Sequence, residues 1–209
     1  MEHIFWEAAF GSSVIGVCGI QYFDLPYLKR EDEEIFIDAG CCDGSTTLQF
    51  INWAQDSFVK SIAFEPDKRS IPIIEANLKE YLNSGKVELY PTGCYFEKTE
   101  LCFEENNVRG ASKLKTEGNA QVEVESIDNV LKGEKATFIK MDIEGAELDA
   151  LKGAVHTIQT YRPKLAISIY HKPEDLVEIP LYLMEIMPDY QFYIRHYTTW
   201  LEETVLYAI

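Results

Sequence analysis

The sequence predicts an α/β domain built on a mostly parallel sheet, and three observations predict it. Short apolar runs alternate with stretches whose apolar residues recur at helical spacing. A glycine turn follows the first clear run, and the last two runs stand too close together for a helix to fit between them. Strands and helices in alternation cover a sheet on both faces and make neighbouring strands parallel. With 209 residues, 46% hydrophobic and 12% aromatic, the chain has apolar material for a substantial core, which excludes wholesale disorder.

Each element has its own reason. Ile35-Phe36-Ile37 is a buried strand running into the turn Asp38-Ala39-Gly40. Residues 45–54 open on Ser and Thr, as a capped helix does. Ser61-Ile62-Ala63-Phe64 is the second strand, closed by Glu65-Pro66-Asp67. Residues 68–82 follow with Ile71, Ile74, Leu78 and Leu82 at helical spacing and Pro72 in the opening turns, where proline is tolerated. Val87-Glu88-Leu89-Tyr90 is the third strand. Between residues 93 and 128 two alternating runs flank a Gly/Asn/Ser-rich stretch, which reads as a β-hairpin-like insertion. Regular order resumes with a strand over 136–141 and a helix over 146–160. A strand over 164–170, a helix over 174–187 and strands over 190–194 and 204–209 complete the chain. The last two strands are expected to be antiparallel. Seven strands in this order, mostly parallel with a reversed last one, are the class I (Rossmann-like) methyltransferase arrangement.

Charge narrows the ligand. Nineteen Lys and Arg against 35 Asp and Glu give a formal charge of −16, which disfavours nucleic acid and an anionic membrane surface. A small neutral or cationic molecule, or a sugar, suits this field. Five cysteines (Cys18, Cys41, Cys42, Cys94, Cys102) in no metal-binding spacing are expected as reduced thiols, and the start of the chain lacks the basic segment of a signal peptide. The chain is therefore expected to be cytoplasmic.

The richest stretch is Asp38-Ala39-Gly40-Cys41-Cys42-Asp43-Gly44-Ser45-Thr46. A glycine after a first strand lets backbone approach a ligand, and the helix that follows offers free N–H groups. The pattern differs from the dinucleotide fingerprint, because Cys42 takes the second glycine position and Asp38 and Asp43 add negative charge where a pyrophosphate would lie. A cationic cofactor with a free amine fits better, and S-adenosyl-L-methionine (SAM) is such a molecule. Glu65 stands at the end of the second strand, where a carboxylate can accept both ribose hydroxyls. The cofactor residues are accordingly Asp38, Gly40, Cys42, Asp43, Gly44, Thr46 and Glu65.

Phe36-Ile37-Asp38-Ala39-Gly40 with Asp43-Gly44, Phe64-Glu65-Pro66, and above all Ile139-Lys140-Met141-Asp142-Ile143-Glu144-Gly145-Ala146-Glu147 resemble the FkbM-type SAM-dependent methyltransferases. The tail Arg195-His196-Tyr197 and residues 204–209 are similar to that family too. The resemblance covers residues 35–209. It implies a methyltransferase domain there, SAM as methyl donor, and O-methylation of a hydroxyl on a saccharide or other natural product. Residues 1–34 fall outside it, as a lead-in of the kind that forms a lid or acceptor wall in such enzymes. The alternatives are a catalytically silent SAM-binding scaffold and, disfavoured by the loop, an NAD-linked oxidoreductase.

Ligands of open parallel sheets bind beyond the carboxyl ends of the strands. A hydroxyl acceptor needs a general base there. His171, after the fifth strand, titrates in the right range and is the leading base. Asp142 ends the fourth strand and orients the acceptor or acts as base, and Glu144 faces the same end. Glu147 is placed in a first helical turn. Arg195, His196 and Tyr197 end the sixth strand, with Arg195 and Tyr197 on one face and His196 on the other. These three and Ser112, in the insertion, are the substrate candidates. No metal is assigned, because the sequence alone does not place enough oxygen ligands. Tyr22, Phe23 and Tyr27 read as packing, and Glu31-Asp32-Glu33-Glu34 as a solvated lead-in.

Overall fold

The computed structural model describes residues 4–6, 20–104, 113–115, 120–200 and 202–209. Its elements run β1 (Ile4–Trp6), β2 (Glu34–Ala39), α1 (Ser45–Ala54), β3 (Phe58–Phe64), α2 (Ile71–Asn77), α3 (Lys79–Asn83) and β4 (Val87–Tyr90). Then come β5 (Gly93–Cys94), β6 (Thr99–Glu104), β7 (Lys113–Lys115), β8 (Ala120–Glu125), α4 (Ile127–Leu131) and β9 (Phe138–Met141). The chain closes with α5 (Glu147–Lys152), α6 (Val155–Tyr161), β10 (Lys164–Ser168), α7 (Asp175–Ile186), β11 (Phe192–His196) and β12 (Thr204–Ala208).

The main sheet has the order β1-β11-β12-β10-β9-β2-β3-β4. Its seven expected strands are all present, and β12 is the reversed one, antiparallel to both β10 and β11. The lead-in supplies an eighth, β1, parallel to β11 at the edge. The insertion is wider than a hairpin. It forms a second sheet, β5-β8-β6-β7, in which β6 pairs antiparallel with β7 and β8. Strands of two and three residues are too short to show an alternation, so only the longer β6 and β8 were legible. The helix expected over 68–82 is divided at Leu78 into α2 and α3, and that over 146–160 into α5 and α6.

Alternation along β2 and β9 sorts side chains to two faces. Ile37, Ala39, Ile139 and Met141 join the core under α4 to α7, with Ala150, Leu151, Ile158, Ile179 and Leu183. Phe36 and Phe138 join the other core with Phe50 of α1. Phe36 stacks on Phe50 at 4.1 Å between ring centroids, and burying each such ring contributes about 1.5–3 kcal/mol. Tyr22, Phe23, Leu25 and Leu28 pack into this second core, so the described end of the lead-in is fastened to the sheet. Tyr27 stays half in solvent, stacked on Tyr193.

One expectation is corrected here. Glu34 is not a solvated acid: it is fully buried at the start of β2, 2.9 Å from Lys164 Nζ. Its carboxylate also accepts from the backbone N–H of Glu31 and the hydroxyl of Thr137. A run of acids looks uniform in sequence, but only its first members remain outside the sheet.

Candidate active site

The ends of β2 and β3 are tied by backbone. The N–H groups of Gly40 and Cys41 both donate to Phe64 O at 3.0 Å. Gly40 has φ +79°, and a Cβ there would lie 2.0 Å from the carbonyl oxygen of Asp142. The space beside this glycine is therefore filled by the chain leaving β9. Cys42 N–H donates to Glu65 Oε2 at 2.9 Å, and Asp67 N–H donates to Oε1 at 2.8 Å. Glu65 is thus held at the strand end with one lone pair engaged on each oxygen. Burial, outweighing these N–H donors, pushes its carboxyl up to about 7. Asp43 turns back to accept from Ser45 N–H, and Gly44 precedes α1. Thr46 is half-buried in the first turn of that helix, while Thr47 points fully inward.

Asp38 belongs to the interior. In the parallel register it stands beside Lys140, as Phe36 stands beside Phe138, so both pairs face α1. Asp38 accepts from Lys140 Nζ at 3.1 Å and from Thr47 Oγ1 at 2.8 Å, and it is fully buried. Lys140 also donates to Gly40 O at 2.6 Å. Burial would lower the ammonium's pKa, but Asp38 and Asp142 overcome this and hold it above its ordinary value. A buried ammonium therefore clamps the loop from below, and the placement of Asp38 is structural.

The carboxyl ends of β9 and β10 bring the catalytic candidates together. Asp142 accepts from Tyr22 Oη at 2.8 Å and from Tyr170 Oη at 3.1 Å. His171 Nε2 lies 3.4 Å from Asp142 Oδ1 and 3.9 Å from Glu144 Oε1, and its Nδ1 lies 2.8 Å from Glu147 Oε1. The imidazole is only 4% exposed, Glu147 is fully buried, and Asp142 and Glu144 are each 24% exposed, so the cluster opens to solvent on one side. Glu147 also accepts from Ile143 N–H, which curls the turn between β9 and α5 around it. Burial would lower the imidazole's pKa, but Glu147, Asp142 and Glu144 together raise it. Burial would raise the Asp142 carboxyl, and Lys140 and His171 instead hold it below the ordinary range.

The substrate candidates are dispersed. Arg195 donates to Asp24 Oδ1 at 3.1 Å and Tyr197 Oη donates to the same oxygen at 2.6 Å, so both grip the lead-in. His196 is exposed on the opposite face, with Nδ1 2.9 Å from Thr204 Oγ1. Ser112 lies outside the described residues. Sequence reasoning assigned no part in the site to Tyr22, Tyr170 or Lys140, and gave Glu147 only a place on its helix. For Lys140 and Glu147 the signal existed, since both belong to the Lys-Met-Asp-Ile-Glu-Gly-Ala-Glu stretch. Tyr22 reaches Asp142 from 120 positions away, and nothing local announces it.

The family model described as "Methyltransferase FkbM domain" matches residues 38–195. No curated protein matches the chain. The crystal structure of methyltransferase FkbM from Methylobacillus flagellatus KT is 30% identical, with a TM-score of 0.77 over 90% of this chain and 47% of that one. This chain thus spans about half the length of that relative. Precorrin-6y C5,15-methyltransferase from Geobacter metallireducens GS-15 (11% identity, TM-score 0.54, 87% of this chain and 82% of that one) shares the fold. So does fibrillarin from Aeropyrum pernix, solved with S-adenosyl-L-methionine (10% identity, TM-score 0.52, 86% and 67%). The glycine loop below Glu65, the Lys140-to-Glu147 stretch around His171 and the match over most of the chain place this protein in the FkbM methyltransferase family.

Proposed function

We propose that the chain transfers a methyl group from SAM to a hydroxyl oxygen of a small neutral acceptor, a saccharide or another natural product. The observation that carries this reading is the convergence of Asp142, Glu144 and His171 on one partly open end of the sheet, beside the loop that ends at Gly44. The residues present fit SAM. Glu65 keeps an unused lone pair on each buried carboxylate oxygen, suited to two ribose hydroxyls, and the carboxylates of Glu65, Asp142 and Glu144 favour a cation. Among the positive charges nearby, Lys140 is turned away onto Asp38 and Gly40 O, Lys172 onto Gly145 O and Arg69 onto Asp67. Bound there, SAM supplies a methyl carbon made electrophilic by its sulfonium.

The chain's own work is position and proton handling. Tyr22 and Tyr170 pin the Asp142 carboxylate so that it presents a fixed edge to the acceptor. The Asp142–Glu144–His171 cluster holds the hydroxyl and carries its proton away. The test is turnover against sugars and polyketide alcohols, read by mass spectrometry as a gain of one methyl. His171→Ala is expected to lower turnover by roughly 10²–10⁴ with SAM affinity retained. A wild-type rate in that variant removes His171 from the chemistry, and loss of SAM binding in the wild-type chain overturns the whole reading.

A further inference from the structure

We propose that the cluster of Asp142, Glu147 and His171 binds a divalent cation of the Mn2+, Fe2+ or Zn2+ class. One donor atom from each of the three lies within 4.8 Å of the other two. An ion takes only one nitrogen of the ring, and either pair, 2.8 Å between His171 Nδ1 and Glu147 Oε1 or 3.4 Å between His171 Nε2 and Asp142 Oδ1, has the spacing of neighbouring ligands. With bonds of about 2.0–2.2 Å, such ligands stand roughly 3–4 Å apart.

A second observation points to a ligand. Three buried polar atoms in this cluster make no hydrogen bond: both ring nitrogens of His171 and Glu147 Oε2. Nδ1 is close to Glu147 and Nε2 is 3.4 Å from Asp142, both out of hydrogen-bonding alignment, and Glu144 at 3.9 Å is beyond hydrogen-bond range. Buried polar atoms are rarely left so, and a cation held by one ring nitrogen and Glu147 satisfies two of the three, leaving the other nitrogen as an N–H beside the remaining acids. The outer contacts are in place too. Tyr22 and Tyr170 hold Asp142, and Ile143 N–H holds Glu147, as partners beyond the ligands fix a metal site. The mixture of one imidazole with carboxylates favours a borderline divalent metal over Ca2+. The 24% exposure of Asp142 and Glu144 leaves an open side for an acceptor oxygen.

The inference deepens the proposed function and rests on it for the use of the ion. Such a cation would make a hydroxyl bound to it more acidic; His171 would then serve as a ligand, and Glu144, the carboxylate of the cluster outside the three ligands, would take the proton. Mn2+ titration of the purified chain, followed by loss of the free-ion EPR signal, tests the binding itself. One saturable site per chain is expected, weakened at least ten-fold in Glu147→Gln and in His171→Gln. No saturable site, or the same affinity in both folded variants, overturns the proposal. SAM calorimetry on the same samples separates the outcomes. SAM binding without a Mn2+ site defeats the cation alone, and a Mn2+ site without SAM binding defeats the methyltransferase reading.

Discussion

The two ends of the site are built from different materials. Around Gly40 and Glu65 the working parts are backbone: two N–H groups on Phe64 O and two more on the carboxylate of Glu65. Around His171 they are side chains, drawn from the end of β9, the start of α5, the end of β10 and the lead-in. A backbone cradle depends on turn geometry, so its residues are exchangeable where they point outward and intolerant where they cross another chain. A side-chain cluster depends on charge balance, and removing one member leaves the others uncompensated. Lys140 joins the two ends, since it reaches Asp38 and Gly40 O under the loop and lies next but one to Asp142.

The largest effect should come from breaking that joint. Lys140→Met leaves Asp38 fully buried with Thr47 as its remaining partner, and losing one member of a buried pair costs about 3–5 kcal/mol. Urea unfolding measures it. The double variant with Asp38→Asn should recover much of the loss, because the uncompensated charge is gone. A Lys140→Met cost below about 1 kcal/mol would mean that the clamp contributes little.

Gly40→Ala comes next and isolates the backbone end. Its Cβ meets Asp142 O at 2.0 Å, and the φ of +79° adds strain, for a combined cost of about 2–4 kcal/mol. Gly85, at φ +72° with nothing within 4 Å, is the control. Gly85→Ala carries the strain alone, about 1–2 kcal/mol. Equal losses at the two positions would show that the crossing of β2 and β9 is not tight. A larger loss at Gly40, with weakened SAM binding, would tie the loop's shape to the turn after β9.

Much of this contrast was legible before the structure, and the limits have physical causes. The strand order followed from alternation and from the short gap between Ile194 and Thr204, which leaves no room for a crossover. Glu65 followed from spacing, because a strand end is a local event. Asp38 did not declare its inward direction, since that depends on its register beside Lys140, 102 positions away. Arg195 and Tyr197 were correctly placed on one face, yet Asp24 fills the face they share. Glu147 stood in the expected helical turn, but its burial against His171 follows from how β10 packs beside β9.

The finest test separates a carboxylate's two duties at the backbone end. Burial raises the Glu65 carboxyl from 4.5 to about 7. Between those values the folded chain binds more protons than the unfolded one. The stability this contributes is therefore full below pH 4.5 and is lost as pH rises through 7. Its span is at most about 3 kcal/mol, at 1.36 kcal/mol per unit. Glu65→Gln removes this slope, so the stability of the variant relative to wild type should rise between pH 5 and pH 8. That must be read as a slope, because at every pH the variant turns an amide NH2 toward Cys42 N–H or Asp67 N–H and carries a constant penalty. SAM affinity should move the other way. The ionised carboxylate is the better acceptor for ribose hydroxyls, so wild-type affinity should climb as pH passes 7, while Glu65→Gln binds about 1–3 kcal/mol more weakly with a flatter profile. Calorimetry at three pH values reads both. An unchanged SAM affinity in the variant would take the ribose away from Glu65, and a wild-type affinity that falls with pH would reverse the sign on which the cradle depends.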